Sequence, residues 1–172
     1  MYGPNVLDKD GVSAAAVFAE MASEIAPITV SEQLDMIYRK YGYHVCNNSY
    51  YISHDVSKTN EMFTLIQQNY PKSLGDYEIA DIRDMNTGYD SREPDLKSKL
   101  PLQSSHMITF YFKNGATVTL RTSGTEPKIK WYSEMVADTS EAVQTQLEKL
   151  VELIKSEWYQ PERFGFLPKP EI

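Results

Sequence analysis

The run "MITFYFKNGATVTLRTSGTEPKIKWY", Met107 to Tyr132, constrains the fold more than any other stretch of the chain. Two segments rich in β-branched and aromatic residues, Met107–Phe112 and Ala116–Arg121, are separated by Lys113-Asn114-Gly115. Asn-Gly between such runs is a strong short-range signal for an antiparallel hairpin. A third strand-like run, Ile129 to Val136, follows after a short polar turn. Strands joined this closely lie antiparallel, because a parallel partner needs a crossover of a dozen residues or more. One face of such a sheet must be buried, and the remaining segments must supply the cover.

The helical patterns come before and after. Gly11 to Ile25 puts Ala14, Val17, Phe18, Met21 and Ile25 on one face, and Pro27 stops the helix. Thr29 and Glu32 have capping-box spacing and open a second helix that Gly42 ends. Its stripe is Leu34, Ile37, Tyr38 and Tyr41. His44 to His54 reads as an aromatic strand, and Ser57 to Gln68 as a helix with Met62, Phe63 and Ile66 inward. "YEIADIRDMNTGYD" reads as a strand entering a turn, and Ser91 to Gln103 as a surface loop, with Asp90, Glu93 and Asp95 expected to be solvated carboxylates. A last helix runs from Ser140 to Trp158. The terminal "YQPERFGFLPKP" is expected to fold back through Phe164 and Phe166, its prolines opposing more helix.

From about Tyr43 the order is strand, helix, strand, hairpin, strand, helix. The expected class is α+β, an antiparallel sheet with helices on one face. The first helix does not fit that unit. It is expected to be left over from a preceding α/β domain, so that residues 1–28 end one domain and 29–172 form another.

Net charge is −7 in 172 residues, which argues against a general affinity for nucleic acid or anionic membrane. No apolar run approaches the roughly 20 residues of a membrane span. The single cysteine, Cys46, excludes an internal disulfide framework and fits a reducing, cytoplasmic setting; it reads as a buried structural thiol. His44, His54 and His106 lack metal-ligand spacing and read as strand-end residues, so no metal site is expected in this chain.

Against that acidic background, Arg121-Thr122-Ser123-Gly124-Thr125, with Lys128 and Lys130 behind it, collects cations, hydroxyls and a glycine within ten residues. Strand alternation sends Arg121 to the face opposite Leu120. A guanidinium fork takes phosphate or carboxylate bidentately. Ser123 and Thr125 can donate hydroxyls, and Gly124 lets an anion approach the backbone. Lys128 and Lys130 share a strand face. The alternative is an ion pair from Arg121 to Glu126 or Glu134, with the hydroxyls capping the turn. Residue types leave both readings open.

"RTSGTEPKIK" resembles the C-terminal phosphate-binding signature of the alpha-D-phosphohexomutase superfamily. "VLDKDGVSAAAVFAEMA", "YGYH" and "IRDMNTGYD" are similar to the branch with phosphopentomutase and glucose-1,6-bisphosphate synthase. The resemblance covers essentially the whole chain. It implies that Arg121, Ser123, Gly124, Thr125 and Lys130 contact the non-reacting phosphate of a sugar phosphate. The family often has arginine at the position of Lys130. Lys9, in "DKDG", matches a basic position near the reacting groups. The family's phosphoserine loop, aspartate-rich magnesium loop and sugar-selecting loop have no counterpart here. The resemblance therefore implies the tail of a third domain and a fourth, working with the remaining mutase domains, magnesium and a sugar bisphosphate activator in a longer protein, and inactive alone. A non-catalytic phosphate-binding or interaction module is the alternative.

Overall fold

The computed structural model describes residue 8 and residues 10–170. Residues 1–42 and 43–172 form two compact units. In the first, helix α1 spans Gly11–Glu24 and α2 spans Val30–Tyr41. Asp10 caps α1 by accepting from the amides of Val12 and Ser13 at 3.0 and 3.2 Å. The capping box of α2 is formed in full. Thr29 Oγ1 accepts from Glu32 N at 3.2 Å, and Glu32 Oε2 accepts from Thr29 N at 2.8 Å. Neither helix has a buried residue. The sequence pattern places the division after residue 28 and counts α2 with the sheet. In the structure α2 groups with α1, and Leu34, Ile37 and Tyr41 stay exposed.

The second unit runs β1 (Tyr43–Ile52), α3 (Val56–Gln68), β2 (Ser73–Leu74), β3 (Tyr77–Asp84), β4 (Tyr89–Asp90), β5 (Met107–Phe112), β6 (Thr117–Thr122), β7 (Lys128–Ala137), α4 (Ser140–Leu153), α5 (Pro161–Phe164) and β8 (Leu167–Pro168). The strands form one sheet in the order β2-β3-β5-β6-β7-β1-β8, with β4 beside β3. Every pairing is antiparallel. The fold is the α+β architecture expected.

Alternation assigns the two faces. Ile108, Phe110, Val118, Leu120, Ile129 and Trp131 point toward α3 and α4 and are essentially solvent-free. Met62 and Phe63 of α3, and Val143, Leu147 and Leu150 of α4, meet them there. Strand contacts on the other face are polar, such as the 2.9 Å hydroxyl bond between Thr109 and Thr119. The hairpin of β5 and β6 closes with Gly115 at φ 85°. Its amide donates to Phe112 O at 3.0 Å. Glycine reaches that conformation without the Cβ penalty.

Three expectations need correction. Cys46 is exposed, because it shares the polar face of β1 with His44 and Asn48 while Val45 and Asn47 turn inward. Asp90 is not a solvated loop carboxylate. It sits in β4 with its side chain 4% exposed, and Arg92 Nε and Nη2 donate to its two oxygens at 2.9 and 2.8 Å. The C-terminal prolines do not exclude helix. Pro161 opens α5 at a position where its missing N–H costs nothing, and Phe164 and Phe166 are buried as expected. The last long helix also changes character. After Leu153 it widens into a π-helical turn, Ile154–Tyr159, closed by Gln160 N to Lys155 O at 2.9 Å. That turn buries both Trp158 and Tyr159.

Candidate anion site

Arg121 is the penultimate residue of β6, and the pairing with β7 sets it directly opposite Lys130. Two cations side by side on neighbouring strands repel each other. The sheet brings them together because the loop Ser123–Pro127 returns in register: Ser123 N donates to Lys128 O at 2.8 Å. Pro127 fixes the other side, its carbonyl accepting from Ser53 N at 2.8 Å. Thr122 N donates to His106 O at 3.0 Å. Backbone bonds to three different segments thus hold the base of the loop, while Gly124 and Thr125 at its tip are exposed.

The charged partners are distributed unevenly. Glu126 Oε1 lies 2.5 Å from Lys128 Nζ, and Oε2 lies 3.3 Å from Lys130 Nζ. The two ammonium groups hold the Glu126 carboxyl below the usual carboxylate range, Lys128 foremost. Glu134 takes His44 Nδ1 at 3.5 Å. Arg121 forms no ion pair among the described residues. Its guanidinium carbon stands 5.8 Å from the Tyr132 ring centre. Neither carboxylate named for the ion-pair alternative therefore takes Arg121. Lys128 rests 4.5 Å over Tyr50.

Arg121 and Lys130 are brought together; the hydroxyls are placed differently. Ser123 lines a cavity of about 250 Å³ beside the loop, together with Thr122, Lys128, Ser104, Ser105 and His106. Gly124 does not adopt a left-handed conformation, and a Cβ there would meet open space. Its backbone conformation therefore does not require glycine. Lys9 lies outside the described residues. Among the described residues no group of three His, Cys, Asp or Glu could hold a metal ion.

His106 is a neighbour that spacing did not suggest. Its ring stacks on Phe63 at 4.5 Å and 2°, and Nε2 lies 3.0 Å from Asn60 Oδ1. A carboxamide oxygen only accepts, so Nε2 carries the hydrogen. Burial lowers its pKa, and its backbone carbonyl accepts from Thr122 N at the base of the loop.

No family model matches the chain. Individual relatives do. Human phosphopentomutase is 46% identical over 99% of this chain. Human glucose 1,6-bisphosphate synthase is 44% identical over 97% of it. A probable phosphoribomutase of Schizosaccharomyces pombe is 36% identical over 96%. The chain is a homologue of the alpha-D-phosphohexomutases. It spans about 30% of the length of these curated relatives. The Paramecium parafusin, a phosphoglucomutase solved in an open form, superposes with a TM-score of 0.51 at 16% identity. That match covers 88% of this chain and 28% of parafusin, and shows that the chain shares the fold of that part of parafusin.

Proposed function

We propose that this chain is the substrate-phosphate-binding part of a sugar-phosphate mutase. Such an enzyme is an intramolecular phosphotransferase that interconverts the 1-phosphate and the 5- or 6-phosphate of a pentose or hexose. Arg121, Ser123, Gly124, Thr125 and Lys130 hold the phosphate that does not react. The observation that carries the reading is the guanidinium of Arg121, without an ion-pair partner among the described residues, on the residue set opposite Lys130 at the mouth of a backbone-braced loop. Held there, the sugar phosphate is presented in one orientation to a reacting centre elsewhere, which converts binding energy into positioning. Residues 1–28 belong to the preceding domain in this reading. In this reading the nucleophile, the magnesium ion and the bisphosphate activator belong to the remaining mutase domains. The setting is cytoplasmic; among the described residues no helix is long and apolar enough to cross a membrane.

The test is a titration of the 172-residue chain with inorganic phosphate and with glucose 1-phosphate, followed by amide NMR. Shifts should centre on Ser123 to Thr125. Arg121→Ala should weaken binding roughly tenfold or more, since a charge-assisted hydrogen bond contributes about 1.5–3 kcal/mol. Lys130→Ala should cost less, because a lysine offers no fork. Mutase turnover by this chain alone should be absent. Unchanged binding by Arg121→Ala would reject the site. Turnover that survives removal of host enzymes would reject the division of labour.

A further inference from the structure

Glu126 occupies an unusual place for a carboxylate in a loop read as an anion site. It bridges the two lysines that follow it, at 2.5 Å from Lys128 and 3.3 Å from Lys130. The chain builds it into that position. Lys128 N donates to Glu126 O at 2.7 Å across Pro127, so backbone and side chain of Glu126 are tied to the same lysine. Both lysine side chains are 24% exposed and the glutamate 43%, which leaves Glu126 the member freer to swing into water. Arg121 stays outside this arrangement.

We propose that Glu126 is an internal competitor for the lysines of the loop and makes the site selective for dianions. The proposal rests on the loop being an anion site. With Glu126 in place, Lys128 and Lys130 share one carboxylate, so the two lysines keep one uncompensated positive charge and Arg121 adds a second, a net charge that a dianion matches and a monoanion does not. A monoanion that takes the lysines merely exchanges one negative charge for another and loses the advantage of a tethered competitor. A phosphate dianion brings two charges. It can engage Arg121 and Lys130 together, and it gains enough to turn Glu126 outward. Chloride and carboxylates are thereby kept off a loop whose cations would otherwise take them. The same competition lowers affinity for phosphate, which keeps release of the phosphorylated ligand fast.

The experiment compares the wild-type chain with Glu126→Gln, using inorganic phosphate at a pH where it is a dianion and acetate as the monoanion. Both are read by amide NMR at Ser123 to Thr125. Glu126→Gln should bind phosphate about threefold to tenfold tighter and should bind acetate measurably, so that the phosphate-to-acetate preference shrinks. Two results overturn the proposal. If Glu126→Gln weakens both anions in equal measure, Glu126 only shapes the loop. If its preference matches wild type, selectivity lies elsewhere. Failure of the underlying reading looks different: neither protein then responds to phosphate, and Arg121→Ala changes nothing.

Discussion

Removing one oxygen atom should make this protein more stable. Tyr159, in the π-helical turn, is fully buried, and among the described residues no group partners its hydroxyl. Its ring is held by Tyr51 at 5.4 Å and Trp131 at 5.5 Å, so the hydroxyl cannot turn out to solvent. A buried, unsatisfied polar group costs about 1–3 kcal/mol. Tyr159→Phe keeps the ring contacts and deletes that cost, so it should stabilise the second unit by about 1 kcal/mol once a small packing loss is subtracted. For a unit of this size that is roughly 3–6 °C in Tm. Urea unfolding followed by tryptophan fluorescence suits the test, because Trp131 and Trp158 both lie in the same core. The midpoint should rise with an unchanged slope. A second signature appears in alkali. Burial raises the Tyr159 pKa well above its ordinary value of 10.0. In the unfolded chain it ionises near that value and in the folded protein it does not. Its contribution is therefore complete below about pH 10 and is lost as pH rises beyond it. Tyr159→Phe should flatten that alkaline decline. A variant destabilised by 1 kcal/mol or more would refute the reasoning, since the hydroxyl would then have a partner worth keeping.

Two further outcomes follow from the polar face. Arg92→Ala leaves Asp90 buried with neither guanidinium bond, which should cost about 2 kcal/mol, a figure discounted because the Arg92 side chain is 36% exposed. Arg92 holds the Asp90 carboxyl below its ordinary 3.8; the pair's contribution is present above that pH and lost as pH falls through the lowered value, so Arg92→Ala should flatten acid unfolding as well. A wild-type acid profile in the variant would count against the pair. Cys46 is exposed, yet burial of its sulfur and then the nearby Glu134 carboxylate, 3.5 Å away, raise its pKa. Alkylation by iodoacetamide at pH 8 should go to completion but more slowly than a free thiol, and Glu134→Gln should speed it severalfold; equal rates would show that Glu134 has no hold on the thiol.

What could be read from the sequence was the periodic part. The hairpin of β5 and β6 was legible because Asn114-Gly115 sits between two alternating runs, and α4 because its stripe holds 3.6-residue spacing over four turns. The face of Cys46 was not, since either assignment of an aromatic-rich strand's alternation leaves large rings on both sides; only pairing with β7 decides it. The burial of Asp90 escaped notice for a similar reason. Its partner, Arg92, is two residues away, and a two-residue strand leaves no periodic trace. The cations of the candidate site were visible as residue types. Their juxtaposition was not, because it depends on the register that puts Arg121 opposite Lys130. Glu126 was visible as a possible partner, but for the wrong cation.

The position of β1 in the sheet has a temporal side. Thr109 and Thr119 are ten residues apart when they bond, whereas Asn47 O and Ser133 Oγ are 86 apart. Closing the longer loop costs about 2 kcal/mol more in chain entropy, so the three-stranded meander of β5, β6 and β7 has reason to assemble first and to receive β1 last. During synthesis the delay is imposed by the ribosome. At roughly 5–20 residues per second, β1 emerges about 4 to 17 seconds before the residues it pairs with exist. Through that interval a ten-residue strand carrying three tyrosines, Tyr43, Tyr50 and Tyr51, has no sheet to join. The three polar residues at its centre, Asn47-Asn48-Ser49, are poor strand formers that find their bonds only once β7 arrives. Such a strand stays uncommitted while it waits.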